Sequence, residues 1–189
     1  AMCNLAILYA DGQGVAQSFT KAFELYTMAA DQGEIEAMYN LGCSFRDGQG
    51  VEQSFKKGAE HFTIVAERGH VKAMFNLGCL YRDGKGVDQS FEKAIELFTM
   101  AAEQGVVDAM FNLGNGYRDG EGVVQSFKKA IENFTMAAEQ GQVEAMVNLG
   151  LMYIQGQGVG QSNELARDWW TKAANKGQET AIEFLQTLD

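Results

Sequence analysis

The sequence repeats itself every 36 residues, and five copies align without an insertion or a deletion. The copies begin at Ala1, Ala37, Ala73, Ala109 and Ala145, and a sixth begins at Ala181 and stops at Asp189. A constant period of this length is typical of one supersecondary unit stacked on itself, in which each copy contacts mainly its neighbours. The repeat therefore argues against most folds built around one central core, and it predicts a single repeat domain over residues 1–189.

Composition narrows the class of protein further. Apolar residues make up 46% of the chain, which is enough for a sizeable core, and no apolar run is long enough for a transmembrane helix. The net charge of −10 argues against nucleic acid as a partner. No signal peptide is visible at the start. Because the chain opens inside a repeat, the question of a signal peptide upstream stays open.

Cysteine and proline usage adds two expectations. The three cysteines, Cys3, Cys43 and Cys79, form no CxxC pair, and they are expected to be reduced thiols that pack as small apolar residues. This usage favours a reducing compartment, and the sequence assigns no other localisation. Proline is absent, so glycine is expected to be the residue that ends the helices.

Each copy is predicted to form two helices, called helix A and helix B. In the third copy, helix A covers about residues 72–83, and Met74, Leu77, Gly78 and Tyr81 share one face of it. Helix B covers about residues 91–104, with its own apolar stripe. Ser90 is placed to cap helix B, and Gly105 to end it in a left-handed conformation. The last segment, 181–189, is predicted to be a capping helix A.

The third copy reads AMFNLGCLYRDGKGV over residues 73–87 and FEKAIELFTMAAEQG over residues 91–105. This pattern resembles the Sel-one-like repeat (SLR) family, which is related to tetratricopeptide repeats. The other copies keep the DGxGV-like loop and the ending glycine in register, and the chain lacks the proline that often follows the loop valine in that family. The resemblance implies an all-α, right-handed superhelical solenoid of antiparallel helix pairs. It also implies that helix A lines the concave surface and that the protein acts as an adaptor or scaffold.

One set of residues on helix A does not share the apolar face and recurs in copies two to four. It combines an aromatic residue, an asparagine and an arginine, on the face that the family geometry places in the groove. These candidate peptide-binding residues are Tyr39, Asn40, Arg46, Phe75, Asn76, Arg82, Phe111, Asn112 and Arg118. An aromatic row offers contact area, asparagine can bond to a peptide backbone, and arginine suits carboxylates or carbonyls. The alternative is that an arginine such as Arg82 only pairs with a neighbour such as Asp83.

Other features are assigned structural roles. The glycine pairs such as Gly84 and Gly86 follow a helix rather than a strand, so a turn is expected and not a phosphate site. The two histidines, His61 and His70, have no ligand cluster at helical spacing, and neither a metal nor a cofactor is expected. The methionines recur at two positions, those of Met74 and Met100, and are predicted to fill the core.

The functional prediction is a non-catalytic protein- or peptide-binding scaffold that uses the concave helix A surface. An alternative is a docking module that self-associates end to end, and nothing in the sequence supports a third reading, an enzyme. No nucleic-acid partner and no membrane insertion are expected. Trp169 and Trp170 distinguish the fifth copy, and they either pack under the last helix or form an exposed docking patch.

Overall fold

The structure is a computed structural model that describes residues 1–188, and over that range it contains eleven α-helices and no strand. The helices are α1 (Met2–Asp11), α2 (Phe19–Ala30), α3 (Ile35–Asp47), α4 (Phe55–Ala66), α5 (Val71–Asp83), α6 (Phe91–Glu103), α7 (Val107–Asp119), α8 (Phe127–Glu139), α9 (Val143–Gln155), α10 (Asn163–Ala174) and α11 (Glu179–Gln186). Odd-numbered helices are helices A, and even-numbered helices are helices B. The predicted all-α repeat class is confirmed, and α5 and α6 begin and end within one residue of the prediction. Among the described residues, none of the helices has the length and apolar character that a membrane span requires.

The chain divides into two compact units, residues 1–97 and residues 98–189, with the division inside α6. In unit 1, Tyr26, Phe62 and Val65 are among the buried side chains. In unit 2, Phe134, Leu149, Met152 and Trp170 lie in the core. The predicted final segment 181–189 falls largely on α11, and its last residue, Asp189, lies outside the described residues.

Serine and glycine set the ends of the helices, as the sequence predicts. The backbone N–H of Lys93 donates to the Ser90 hydroxyl oxygen at 3.3 Å, and the equivalent serines of the other four copies cap their helices B in the same way. Gly105 has a φ of 88°, and the N–H of Val106 donates to the carbonyl of Ala101 at 3.1 Å, which closes the last turn of α6. The predicted left-handed conformation is confirmed at the equivalent glycines, Gly33, Gly69 and Gly141.

A second type of glycine lies inside helix A and receives an aromatic ring from helix B of the same copy. A Cβ atom at Gly42 would lie 2.6 Å from the ring of Phe62, and one at Gly114 would lie 2.5 Å from the ring of Phe134. No side chain fits in that space, so these positions let the two helices of a copy approach closely around a buried ring.

The second loop glycine of a copy lies against the backbone of the preceding copy. A Cβ atom at Gly86 would come within 2.2 Å of the Phe55 carbonyl carbon at the start of α4. Gly50 has the same relation to Phe19, and Gly158 to Phe127. The loop glycines are therefore structural, as predicted, and the second of them is a contact point between successive copies.

The predicted role of one methionine position is wrong. Met74, Met110 and Met146 on helices A are buried, as expected. Met28, Met100 and Met136 on helices B are instead 53%, 46% and 44% exposed. Met100 follows the buried Phe98 by two residues, which is about 200° around a helix, so its side chain points away from the core.

Candidate functional site

Tyr39 is a half-buried residue on α3 that contacts three other side chains. Its ring stacks on that of His70 at 4.5 Å between centroids and lies 5.8 Å from that of Phe62. Its hydroxyl oxygen accepts a hydrogen bond from Nδ2 of Asn76 at 3.1 Å. Burial raises the pKa of Tyr39 to about 12, so this hydroxyl is neutral under ordinary conditions. The predicted aromatic position is thus part of a packed contact between α3 and α5.

The predicted asparagines take part in bonds within the protein. Besides the bond from Asn76 to Tyr39, Nδ2 of Asn40 donates to the Glu36 carbonyl at 2.9 Å and lies 4.0 Å from Sγ of Cys3. Nδ2 of Asn112 donates to the Asp108 carbonyl at 2.7 Å. All three side chains are half-buried. In Asn40 and Asn76 these bonds use the amide N–H groups, so the amide oxygens are the groups that a peptide N–H could reach.

Each predicted arginine pairs with the aspartate that follows it, which is the alternative that the sequence left open. Arg46 contacts both Asp47 oxygens at 2.7 Å through Nε and Nη2, and Arg118 contacts Asp119 in the same bidentate way at 2.8 and 2.7 Å. Nε of Arg82 lies 2.8 Å from Asp83. The arginine side chains are 31%, 40% and 32% exposed in chain order. The row is therefore one of exposed ion pairs, with donors and acceptors side by side, rather than a stripe of positive charge.

These pairs change the titration of their carboxylates. The hydrogen bond from Arg82 holds the pKa of Asp83 below its ordinary value, and that from Arg118 does the same for Asp119. The pKa of Arg46 is raised by its hydrogen bond to Asp47. Asp83 and Asp119 therefore stay charged to a lower pH than an ordinary aspartate.

The remaining predicted aromatic residues, Phe75 and Phe111, are both half-buried. The Phe111 ring lies 5.9 Å from that of Phe134, tilted by 46°. The Arg118 guanidinium lies 6.0 Å from the centroid of the same Phe134 ring, as Arg46 does from Phe62. Arg46 and Arg118 are thus each held by two contacts, one with the following aspartate and one with a ring of the following helix B.

In unit 2 one of the predicted residues, Arg118, borders a cleft of about 370 Å³. Arg118 and Asp119 line it, together with Asn148 and Leu151 of α9. Unit 1 contains the six predicted residues of copies two and three, and unit 2 contains Phe111, Asn112 and Arg118. Asn148 was not among the predicted residues, although it follows Asn112 by one period. The period alone could have found it.

The two tryptophans have different surroundings. Trp170 is 3% exposed, packs against Phe184 of α11 at 4.9 Å between ring centroids, and donates from Nε1 to the Val147 carbonyl at 3.1 Å. Trp169 lines an open cleft of about 610 Å³, and Nζ of Lys172 lies 4.0 Å from the centroid of its ring. Trp170 therefore packs under the last helix, whereas Trp169 lines an accessible surface.

Both histidines make structural contacts within the protein. Nδ1 of His70 accepts from the Ala73 N–H at 3.2 Å and so caps α5, while its Nε2 lies 3.2 Å from a Glu36 oxygen. His61 stacks on Phe45 at 5.5 Å, and burial lowers its pKa. Within residues 1–188, no group of three or more His, Cys, Asp or Glu side chains is arranged to hold a metal ion.

Solved structures similar to this one include Sel1 repeat proteins. A protective antigen of uropathogenic Escherichia coli, c5321, which displays an SLR fold, is 32% identical over 97% of this chain with a TM-score of 0.95, and the chain spans 39% of its length. A Sel1 repeat protein from Oxalobacter formigenes is 30% identical over 97% of this chain and 73% of its own, with a TM-score of 0.89. Cysteine-rich protein B of Helicobacter pylori is 24% identical over 71% of this chain and 96% of its own, with a TM-score of 0.53, and shows the fold alone.

Comparison with curated protein sequences finds no match. The Sel1 repeat model matches five consecutive segments, which are residues 1–34, 35–70, 71–106, 107–142 and 143–178. These segments have the spacing of the helix pairs and leave only the last helix outside. The chain therefore belongs to the Sel1 repeat family.

Proposed function

We propose that this protein is a non-catalytic scaffold that binds an extended or helical peptide along the helices A of copies two to four. Sel1 repeats generally mediate protein interactions, which gives the class of function. The finer assignment rests on the nine candidate residues, which are half-buried and recur once per copy. Half-buried polar groups beside aromatic rings are typical of surfaces that recognise polypeptides.

The observation that carries the proposal is the bidentate Arg118–Asp119 pair at the edge of a cleft. Asn148 and Leu151 also line that cleft. A peptide segment there would meet guanidinium N–H donors, carboxylate acceptors and an amide within one site, which suits main-chain carbonyls and N–H groups. Because the arginines are already paired, the proposed ligand is recognised mainly through its backbone and apolar side chains rather than by a high negative charge.

The chemically reactive side chains support a non-catalytic role. The recurring serines accept bonds from backbone N–H groups at the starts of helices B, and the histidines cap a helix or stack on a ring. A nucleophile needs an adjacent general base, and these residues are committed to other partners.

The test is selection of peptides from a random displayed library on the unmodified protein, followed by affinity measurement on variants. We expect a Phe75→Ala/Arg82→Ala variant to bind the selected peptides about 2 kcal/mol more weakly if the two residues are anchors. An Arg68→Ala variant, which removes an exposed arginine at the end of α4, should bind them normally. Wild-type affinity in the double variant, with unchanged helicity by circular dichroism, would refute the assignment to this face.

End-to-end self-association is a second candidate, favoured by one observation. On α1, Leu5, Ile7 and Leu8 are 41%, 36% and 38% exposed, and the helix begins without a side-chain cap. Three neighbouring exposed apolar residues are a candidate docking patch. Light scattering should show association that a Leu5→Lys/Leu8→Lys variant abolishes. A chain that is monomeric at high concentration would exclude this candidate.

A further inference from the structure

The helices B of copies one to four each expose one large apolar side chain at the same repeat position. We call these four residues the helix B row, and they are Met28, Ile64, Met100 and Met136, exposed by 53%, 44%, 46% and 44%. Each unit carries two of the four. In the fifth copy, Lys172 occupies the position instead. Two exposed apolar residues on neighbouring helices B of one unit are a candidate interaction surface.

Acidic residues flank every member of the row on its own helix. They lie four residues before it and three residues after it, so that acid, apolar residue and acid share one helix face. The preceding residues are Glu24, Glu60, Glu96 and Glu132, and the following ones are Asp31, Glu67, Glu103 and Glu139. All eight are exposed, and none forms an ion pair with any residue from 1 to 188. One lysine near the start of each of these helices lies over a ring of helix A, as Lys57 lies over Phe45 at 5.2 Å.

Unit 1 also contains a cleft of about 490 Å³ beside this row. Phe23 of α2, Ile64 of α4, and Met38 and Phe45 of α3 line it. The lining is mainly apolar, with Asp31 and Arg68 as its charged members. A cleft of this size and character can receive a large apolar side chain from a partner.

We infer that the helix B row is, within each unit, a second interaction surface whose partner is a basic amphipathic helix. An apolar row between two unpaired acidic rows is complementary to an apolar stripe bordered by lysine or arginine. Three of its four members are methionine, whose flexible thioether adapts to different apolar surfaces. A second copy of the chain is a poor occupant because the face would meet its own negative charge. Lys172 ends the surface at the fifth copy, since a lysine there would repel a basic partner.

The first experiment uses the unmodified protein and two synthetic peptides, so it does not depend on the folding of a variant. Both peptides are fluorescein-labelled helices of about five turns with a leucine stripe. In one the stripe is bordered by lysine, and in the other by glutamate. Fluorescence anisotropy should show the lysine peptide binding at least about tenfold more tightly, with this preference lost as salt rises from about 50 to 500 mM. Equal affinity for both peptides, or no binding of the lysine peptide, would overturn the inference.

The second experiment locates the binding face with two matched variants. The row variant changes Met28, Ile64, Met100 and Met136 to serine. The control variant changes four exposed apolar residues elsewhere to serine, namely Ile35, Val124, Leu165 and Ile182. The row variant should bind the lysine peptide at least about tenfold more weakly, and the control variant within about twofold of wild type. The reverse order would overturn the inference, as would wild-type affinity in the row variant.

A third variant separates this surface from the proposed groove. Phe75→Ala/Arg82→Ala should leave binding of the lysine peptide unchanged, because both residues belong to helix A. If that variant lost the peptide and the row variant kept it, the groove would be the site and the helix B inference would be wrong.

Discussion

The amide of Asn76 donates a hydrogen bond to the hydroxyl oxygen of Tyr39 at 3.1 Å and so joins α5 to α3. The two residues stand at neighbouring positions of adjacent copies, and both were predicted to meet a ligand. The bond shows that the candidate binding face also contributes to the contact between copies. A substitution on this face can therefore change stability as well as binding, and the two effects have to be measured separately.

Removing the Tyr39–Asn76 bond should destabilise unit 1. Tyr39→Phe is expected to lower the free energy of unfolding by about 1 kcal/mol, because it leaves a half-buried amide N–H without its partner. Denaturant unfolding of Tyr39→Phe, Asn76→Leu and the double variant would give the coupling between the two side chains. Tyr117→Phe is the matched control, since its hydroxyl makes no hydrogen bond to residues 1–188. Additive effects of the two single changes would show that the bond contributes nothing.

Stability should fall at high pH because of two buried tyrosines. Burial raises the pKa of both Tyr26 and Tyr39 from about 10 to about 12. The unfolded chain ionises first, so between these values the folded state binds more protons and each rise in pH favours unfolding. The contribution is fully present below pH 10 and should decrease by about 1 kcal/mol per tyrosine by pH 11. A Tyr26→Phe/Tyr39→Phe variant should show a flatter dependence in unfolding measured from pH 8 to about 11, and an unchanged slope would contradict the assignment.

Two glycines with similar backbone angles should respond differently to alanine. Gly105 has a φ of 88° and open space around it, so Gly105→Ala should cost about 1 kcal/mol of backbone strain. Gly105→Val should cost about 1–2 kcal/mol because its side chain is β-branched. Gly86→Ala should cost more, about 2–4 kcal/mol, because its Cβ would overlap the Phe55 backbone. Thermal unfolding of the three variants would rank them, and equal losses for both alanine variants would show that the contact at Gly86 is dispensable.

The two tryptophans of the fifth copy should be separable by substitution with phenylalanine. Trp170→Phe restores the ring type found at Phe62 and Phe134 but removes the bond to the Val147 carbonyl, and a loss of about 1–3 kcal/mol is expected. Trp169→Phe should cost less because Trp169 is only half-buried. Chemical unfolding of the two single variants would compare them, each retaining one tryptophan as its fluorescent probe. A larger loss at Trp169 would reverse this interpretation.

The helices and their ends could be predicted from the sequence because the information is local. A serine before a helix and a glycine after it act within a few residues, and the five copies repeat the same arrangement. The apolar face of α5 was predicted for the same reason, and Met74 and Leu77 are buried. Met100 is exposed although methionine commonly fills a core, because its place two residues after the buried Phe98 turns its side chain away from the core.

The candidate site was harder to predict because the partner of a side chain depends on where that side chain points in the folded protein. Arg82 and Asp83 are adjacent in sequence, and only the structure shows that the arginine turns back to its neighbour. The bond from Asn76 to Tyr39 depends on how two copies stack, which helical periodicity within a single copy does not give. A sequence pattern can thus select a face of a helix, but the partners on that face follow from packing between helices.

The contact of Gly86 with the Phe55 backbone has a consequence for how such a chain can change its length. The same contact is made by Gly50 with Phe19 and by Gly158 with Phe127. In these contacts the loop glycine of one copy packs on the backbone at the start of helix B in the copy before it. An added or deleted copy would reuse both the loop glycine and the helix B start that it contacts, so no new complementary pair of residues would be needed. Growth by duplication of a whole copy therefore needs no simultaneous change elsewhere. An insertion of any other length would leave a loop glycine without the helix B backbone that it contacts.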